Sequence, residues 1–155
     1  RLRSIITQAI ATLAPTPVTW AMCNHDSPRV ATRLGGGAIG RRRARAMALL
    51  AQALPGSLYI YQGEELGLED ADMPPERRQD PVWFRSGGEQ LGRDGARVPL
   101  PWAGSAPPYG FGGPDTWLPQ PADWADLTVE RQEADPSSTL SLYRSALRLR
   151  KYSVL

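Results

Sequence analysis

Two short apolar segments, each with the composition of a buried β-strand, flank a single helical segment. The first covers residues 18–23 and the second residues 57–61, and alanine, methionine and leucine at helical spacing predict a helix over 41–54. A strand–helix–strand unit of this length predicts a right-handed crossover between two parallel strands. Because both segments are almost continuously apolar, we predict that each strand is buried on both faces.

Two parallel strands cannot by themselves form a sheet whose two faces are covered. A closed (β/α)8 TIM barrel needs about 250 residues and eight strand–helix units, whereas this chain of 155 residues supplies two strands. The predicted fold class is therefore α/β, in the form of a partial (β/α)8 TIM barrel. We expect the chain to hold the last two strands, the last helices and a long loop excursion, and to be incomplete as a barrel.

The excursion follows the second strand and is rich in turn-forming residues. Between Pro55 and Pro121 there are 11 glycines and 11 prolines in 67 residues, a density that excludes long helices and interior strands. Irregular connections longer than about 15 residues are uncommon unless they are functional or the elements have been misassigned. Two further helices are predicted, one over residues 4–13 before the first strand and one from 135 to about 150 after the excursion.

Composition and charge exclude several classes of protein. The net charge of +2 is too small to indicate binding to nucleic acid or to a membrane surface, and the arginines at 41–45 are interpreted as a solvated helix face. One cysteine excludes an internal disulfide, and one histidine excludes a His- or Cys-rich metal site within this sequence. We expect no transmembrane span and no targeting leader. No oligomeric state is predicted.

Polar residues end both predicted strands abruptly. Asn24, His25 and Asp26 follow the first strand, Arg29 comes three residues later, and residues 62–65 follow the second strand. In parallel α/β proteins such strand ends face the active site, so these side chains could hydrogen-bond a hydroxyl-rich ligand. The alternative is that the polar residues only cap the next element and that Glu64 and Glu65 brace a loop.

Five segments of the chain, in the correct order, resemble the α-amylase superfamily, glycoside hydrolase family thirteen. The segment at 20–29, Trp-Ala-Met-Cys-Asn-His-Asp-Ser-Pro-Arg, resembles the fourth signature region of that superfamily. Any one segment would be weak evidence, whereas five in sequence are strong. The other four fit the α-glucosidase and oligo-1,6-glucosidase branch, and they are residues 53–67, 78–81, 93–102 and 141–150.

The resemblance implies retaining hydrolysis of α-glucosidic bonds in short oligosaccharides. That reaction needs a nucleophilic carboxylate and a general acid roughly 5 Å apart, which in this family follow the fourth and fifth barrel strands and so lie outside this sequence. The residue that matches is the third carboxylate, Asp26, implied to stabilise the transition state. His25 and Arg93 are implied to bind the sugar, while Arg29 either binds substrate or holds the Asp26 loop.

The domain organisation follows from the same resemblance. Residues 1–155 would form the C-terminal part of the catalytic barrel, with the first six strands and a C-terminal β-domain absent. We expect a cytoplasmic enzyme that needs no organic cofactor, has no metal site in this chain and is inactive as the fragment alone. The alternatives are a transglycosylating or isomerising relative, such as a trehalose synthase or sucrose isomerase, or a non-catalytic binding protein on a degenerate barrel.

Overall fold

The structure, a computed structural model, describes residues 1–152 and consists of helices, turns and one small sheet. The long central excursion contains three 3-10 turns, at Pro75–Arg77, Asp94–Ala96 and Ala122–Leu127. The regular elements, in chain order, are α1 (Leu2–Leu13), β1 (Thr19–Ala21), α2 (Val30–Arg33), α3 (Gly37–Ala53), β2 (Ser57–Tyr59), α4 (Pro81–Arg85), α5 (Val129–Glu133) and α6 (Thr139–Tyr152).

The two strands form the parallel pair that the sequence predicts. Thr19 lies opposite Ser57, and Trp20 lies opposite Leu58. The prediction that both faces are buried is wrong, because the two outer residues of each strand are exposed. The physical reason is that each strand has only the other as a sheet neighbour within the described part of the chain, so the other edge of each strand has no strand beside it.

Helix α3 is the crossover between the strands, and it starts earlier than the periodicity predicts. Its first residue is Gly37, whose backbone N–H donates to Glu69 Oε2 at 2.8 Å, so a side chain from the excursion caps the helix. At the other end, the Arg150 guanidinium on α6 donates to the carbonyl oxygens of Gln52 (2.5 Å) and Leu54 (2.7 Å). A cation at the last carbonyls of a helix stabilises that end, and here it also fastens α6 to α3.

The excursion is irregular, as its proline and glycine content predicts, yet it builds a hydrophobic core of its own. The Tyr109 hydroxyl is anchored by hydrogen bonds to the carbonyl oxygens of Pro121 and Ala122. The core therefore lies under the excursion and against α6, not around the sheet. Its largest buried members are Leu66, Leu68, Met73, Val98, Tyr109, Leu118, Trp124 and Leu140.

Helix α1 has an apolar face that the described residues leave uncovered. Leu2, Ile5 and Leu13 are about half exposed, and no residue of α1 is buried. An apolar groove runs between α1, β1 and α3 and is lined by Ile6, Trp20 and other apolar side chains. No helix within residues 1–152 combines the length and the apolarity that crossing a membrane requires.

Candidate active site

The loop after β1 forms a sharp turn that carries Asp26. Asn24 Oδ1 accepts a hydrogen bond from the Asp26 backbone N–H at 2.9 Å, and Ser27 Oγ accepts one from the Asn24 N–H at 3.2 Å. Short side chains that bond to the backbone two or three residues away stabilise such turns. The turn leaves the Asp26 carboxylate half exposed at the strand end.

Two arginines from the excursion converge on the Asp26 carboxylate. Arg93 Nη1 and Arg97 Nη2 both donate to Asp26 Oδ1 at 2.8 Å, and His25 Nε2 lies 3.5 Å from Asp26 Oδ2. Partial burial on its own raises the pKa of Asp26, but His25, Arg93 and Arg97 together outweigh it, so the net pKa lies below the ordinary value. Asp26 is therefore a carboxylate at neutral pH, with both arginines on Oδ1 and His25 beside Oδ2.

Arg93 also binds a second, fully buried carboxylate, Asp80. Arg93 Nε lies 2.6 Å from Asp80 Oδ2, and Arg93 Nη2 lies 3.2 Å from Asp80 Oδ1. This hydrogen-bonded pair holds the pKa of Asp80 well below its usual range and raises the pKa of Arg93. Arg97 donates from Nε to the His25 carbonyl oxygen at 2.9 Å and is 3.8 Å from Asp80.

Arg29 is buried between the loop after β2 and the excursion, with only 1% of its surface exposed. Its Nη1 donates to the Gln62 carbonyl oxygen at 2.8 Å and its Nη2 to the Ala96 carbonyl oxygen at 2.9 Å. Burial lowers the pKa of the guanidinium, and its Cζ atom lies 5.2 Å from the centre of the Tyr61 ring. Arg29 thus joins the loop after β2 to the excursion, and both terminal nitrogens already hold backbone partners.

A small cavity lies beside Asp26, between the β1 loop and the excursion. It has a volume of about 140 Å³, and both Asp26 and Arg93 line it together with Asp70 and Gly95. His25 is exposed next to it. The structure therefore brings together three of the four predicted site residues, and it places Arg29 behind them.

A family model described as the α-amylase catalytic domain matches residues 2–155. This chain belongs to the α-amylase family. The resemblance of the five sequence segments is confirmed.

The relatives of this α-amylase-family chain are more than three times as long as the chain itself. A probable α-glucosidase of Rhizobium meliloti is 39% identical over 133 residues, which is 85% of this chain and 24% of that protein. An oligo-1,6-glucosidase of Heyndrickxia coagulans is 31% identical over 147 aligned positions, which include gaps and cover 82% of this chain and 26% of that protein. The chain thus spans about a quarter of the length of these relatives.

A solved structure shows the same fold over nearly the whole chain. The α-glucosyl transfer enzyme XgtA is 38% identical and matches with a TM-score of 0.88 over 97% of this chain and 28% of XgtA. The parallel strand pair with its helical crossover is consistent with a piece of the barrel of that family. The predicted α/β fold class is therefore confirmed, and the two-stranded sheet is consistent with the predicted partial barrel.

A buried polar cluster connects the strand ends of this α-amylase-family chain to α6. Cys23 Sγ donates to Glu64 Oε1 at 2.9 Å, and the Tyr143 hydroxyl lies 3.4 Å from Glu64 Oε2. Burial, reinforced by Glu64, raises the pKa of Cys23 to about 12, so the sulfur is not a nucleophile at neutral pH. Glu65 accepts from the Gly63 N–H at 2.8 Å and braces the loop after β2.

Sequence reasoning missed Asp80, and it did not assign Arg97 to the site. The available signal was the segment at 78–81, which belongs to the motifs that carry the family resemblance. Within residues 1–152, no group of three or more His, Cys, Asp and Glu side chains is placed to hold a metal ion.

Replacing Glu64 with glutamine should weaken the pH dependence of stability. Burial raises the pKa of Glu64, so the folded state favours the protonated form. Its contribution to stability is fully present below the ordinary pKa of 4.5 and is lost as the pH rises through the higher folded value. Glutamine keeps the shape of the side chain and one acceptor oxygen without the charge, and its NH2 group can donate to the Tyr143 hydroxyl oxygen. At pH 7 the urea midpoint of Glu64→Gln should therefore exceed that of the unsubstituted chain. Between pH 5 and pH 7 the midpoint of the variant should change less than that of the unsubstituted chain.

The matched control is Glu89→Gln, because Glu89 is exposed. The urea midpoint of Glu89→Gln should follow that of the unsubstituted chain at both pH values. A Glu64→Gln protein that is less stable than the unsubstituted chain at pH 7 would show that the folded state favours the ionised carboxylate.

Proposed function

We propose that this chain is part of a retaining α-glucosidase that acts on short oligosaccharides. The observation that carries the proposal is an ionised Asp26 at the end of a parallel strand, held by Arg93 and Arg97 and adjoining a cavity. The names of the relatives, α-glucosidase and oligo-1,6-glucosidase, support the reaction class. The substrate we infer is an oligosaccharide with a terminal α-linked glucose.

We place the chain at the C-terminal part of the catalytic barrel of a longer polypeptide, called the parent enzyme below. The first six barrel strands and a C-terminal β-domain would belong to its other segments. The coverage of about a quarter of each relative supports this placement. So do the exposed residues of β1 and β2, which neighbouring strands and helices would cover in a closed barrel.

Asp26 would act by stabilising positive charge. The transition state of retaining glycoside hydrolysis resembles an oxocarbenium ion, and a fixed carboxylate close to it stabilises that state more than the ground state. Because Arg93 and Arg97 both occupy Oδ1, Oδ2 is the oxygen that would accept hydrogen bonds from sugar hydroxyls. The nucleophile and the general acid would come from the other strands of the parent enzyme.

The other predicted residues divide into two roles. His25 is exposed and within 3.5 Å of Asp26, so it would hydrogen-bond the same sugar, and the outer edge of Arg93 would face the sugar pocket. Arg29 is enclosed by backbone carbonyls, and we assign it to holding the loops that carry Asp26.

A glucosyl-transferring enzyme is the second candidate. It is favoured by the similarity to XgtA, which is an α-glucosyl transfer enzyme. Transfer and hydrolysis share the same glucosyl-enzyme intermediate and differ in whether water or a sugar hydroxyl attacks it. Asp26, His25 and Arg93 would serve either outcome, because they would contact the glucosyl unit and not the acceptor.

Turnover of a chromogenic α-glucoside by the purified parent enzyme tests the function. We expect release of the chromophore, with the α-anomer of glucose as the first product in a proton NMR time course. Accumulation of a longer or isomeric sugar would establish transfer or isomerisation instead. Sugar binding without turnover would favour a non-catalytic binding protein. A polypeptide limited to the 155 residues should show no turnover, since two of the three carboxylates are supplied by other strands.

A further inference from the structure

The guanidinium of Arg93 connects two carboxylates in different environments. On one side Nη1 donates to the half-exposed Asp26 at 2.8 Å. On the other side the backbone N–H (2.9 Å), Nε (2.6 Å) and Nη2 (3.2 Å) all donate to Asp80, whose side chain is fully buried. Arg93 is therefore held from its buried side.

The contact with Asp26 is too weak to orient Arg93 alone. Both of those side chains are substantially exposed, and exposed ion pairs typically stabilise little because water competes for the charges and the side chains lose freedom. A buried carboxylate that accepts several hydrogen bonds from one arginine fixes its position much more firmly. The position of the Arg93 guanidinium beside Asp26 thus depends on the carboxylate of Asp80, which binds its other side.

Asp80 is itself fixed by its surroundings. Its Oδ1 accepts from the Val82 N–H at 3.0 Å and caps α4, and its own N–H donates to Asp94 Oδ2 at 3.0 Å. The backbone of Gly92 packs so closely that a Cβ there would lie 2.7 Å from the Asp80 Cβ. The Asp80 carboxylate therefore has little freedom to move.

We propose that Asp80 is a positioning residue, which aims Arg93 at Asp26 and so orients the carboxylate that the reaction uses. It does not touch the substrate. The inference rests on the proposed function for its catalytic consequence, whereas the orientation of Asp26 by Asp80 is measurable without any activity.

The decisive measurement is the pKa of Asp26 in the 155-residue chain, followed by carbon-detected NMR of the carboxyl groups. The groups that face Asp26 are His25, Arg93 and Arg97. If Asp80 aims Arg93, Asp80→Asn should raise the Asp26 pKa by about one pH unit, because an arginine at this distance lowers a carboxyl pKa by about 1–3 units. If Arg93 stays in place, removing a nearby negative charge should instead lower the Asp26 pKa. A fall or no change overturns the proposal.

Asp115→Asn is the matched control. Asp115 also pairs with an arginine, Arg77, at 2.9 Å, but it does not touch Asp26, so the Asp26 pKa should not move. If Asp80→Asn fails to fold, Arg93→Lys replaces it. A lysine keeps a positive charge beside Asp80 but has no fork to reach both carboxylates, so the Asp26 pKa should again rise. An unchanged value in Arg93→Lys would overturn the proposal.

Kinetics of the parent enzyme supply the second readout. Asp80→Asn should lower kcat by about tenfold to a hundredfold, the size expected when a catalytic group is misplaced by about 1 Å, while KM changes less than about threefold. Unchanged kcat would contradict the positioning role. If the parent enzyme turns over no glucoside at all, the proposed function fails, and the NMR titration still decides whether Asp80 orients Asp26.

Discussion

Asp26→Asn in the parent enzyme should lower kcat by about 10²–10³-fold, the loss typical of removing one electrostatic contact to a transition state. Asparagine has the same shape, so the loop hydrogen bonds to Asn24 and the arginines need not break. What is lost is the negative charge opposite the developing oxocarbenium ion. Because that charge matters most in the transition state, KM should change much less than kcat. Steady-state kinetics with a chromogenic α-glucoside measure both.

Asp126→Asn provides the control for that experiment. Asp126 is also ion-paired, with Arg131 at 3.3 Å, but it is 85% exposed and lies far along the chain from the strand ends. The Asp126→Asn variant should therefore turn over the glucoside at the rate of the unsubstituted parent enzyme. Near-normal turnover in Asp26→Asn, with thermal unfolding unchanged, would show that the active site lies elsewhere.

Arg29→Met should lower the free energy of unfolding by about 2–4 kcal/mol, since hydrogen bonds to charged groups contribute about 1.5–3 kcal/mol each and their loss leaves buried partners unpaired. Methionine approximates the length of the arginine stem but cannot donate to the carbonyls of Gln62 and Ala96. The loop after β2 and the excursion would then lose their direct connection. Urea denaturation of the chain measures the effect.

The same variant separates the two roles that the sequence left open for Arg29. An arginine that mainly binds sugar would raise KM in the parent enzyme when replaced and would leave stability almost unchanged. Arg42→Met is the control, because Arg42 lies on the exposed face of α3 and its replacement should shift the urea midpoint very little.

The pattern of apolar and polar residues was sufficient to predict the parallel strand pair and its crossover. Those features depend on local periodicity, which a sequence displays directly. The same pattern did not predict α2, α4 or α5, because each of these helices is only four or five residues long. Helices this short are stable only when other parts of the chain support them, as the Asp80 carboxylate does for α4.

The positions of His25 and Asp26 were likewise predictable, because polar residues directly after a strand occupy one edge of a parallel sheet. Only the tertiary structure decided which groups surround them. Arg93 is 67 residues from Asp26 along the chain and 13 from Asp80, and no local preference specifies such contacts. They form because the proline- and glycine-rich excursion folds over its own apolar core and carries its arginines back to the strand ends.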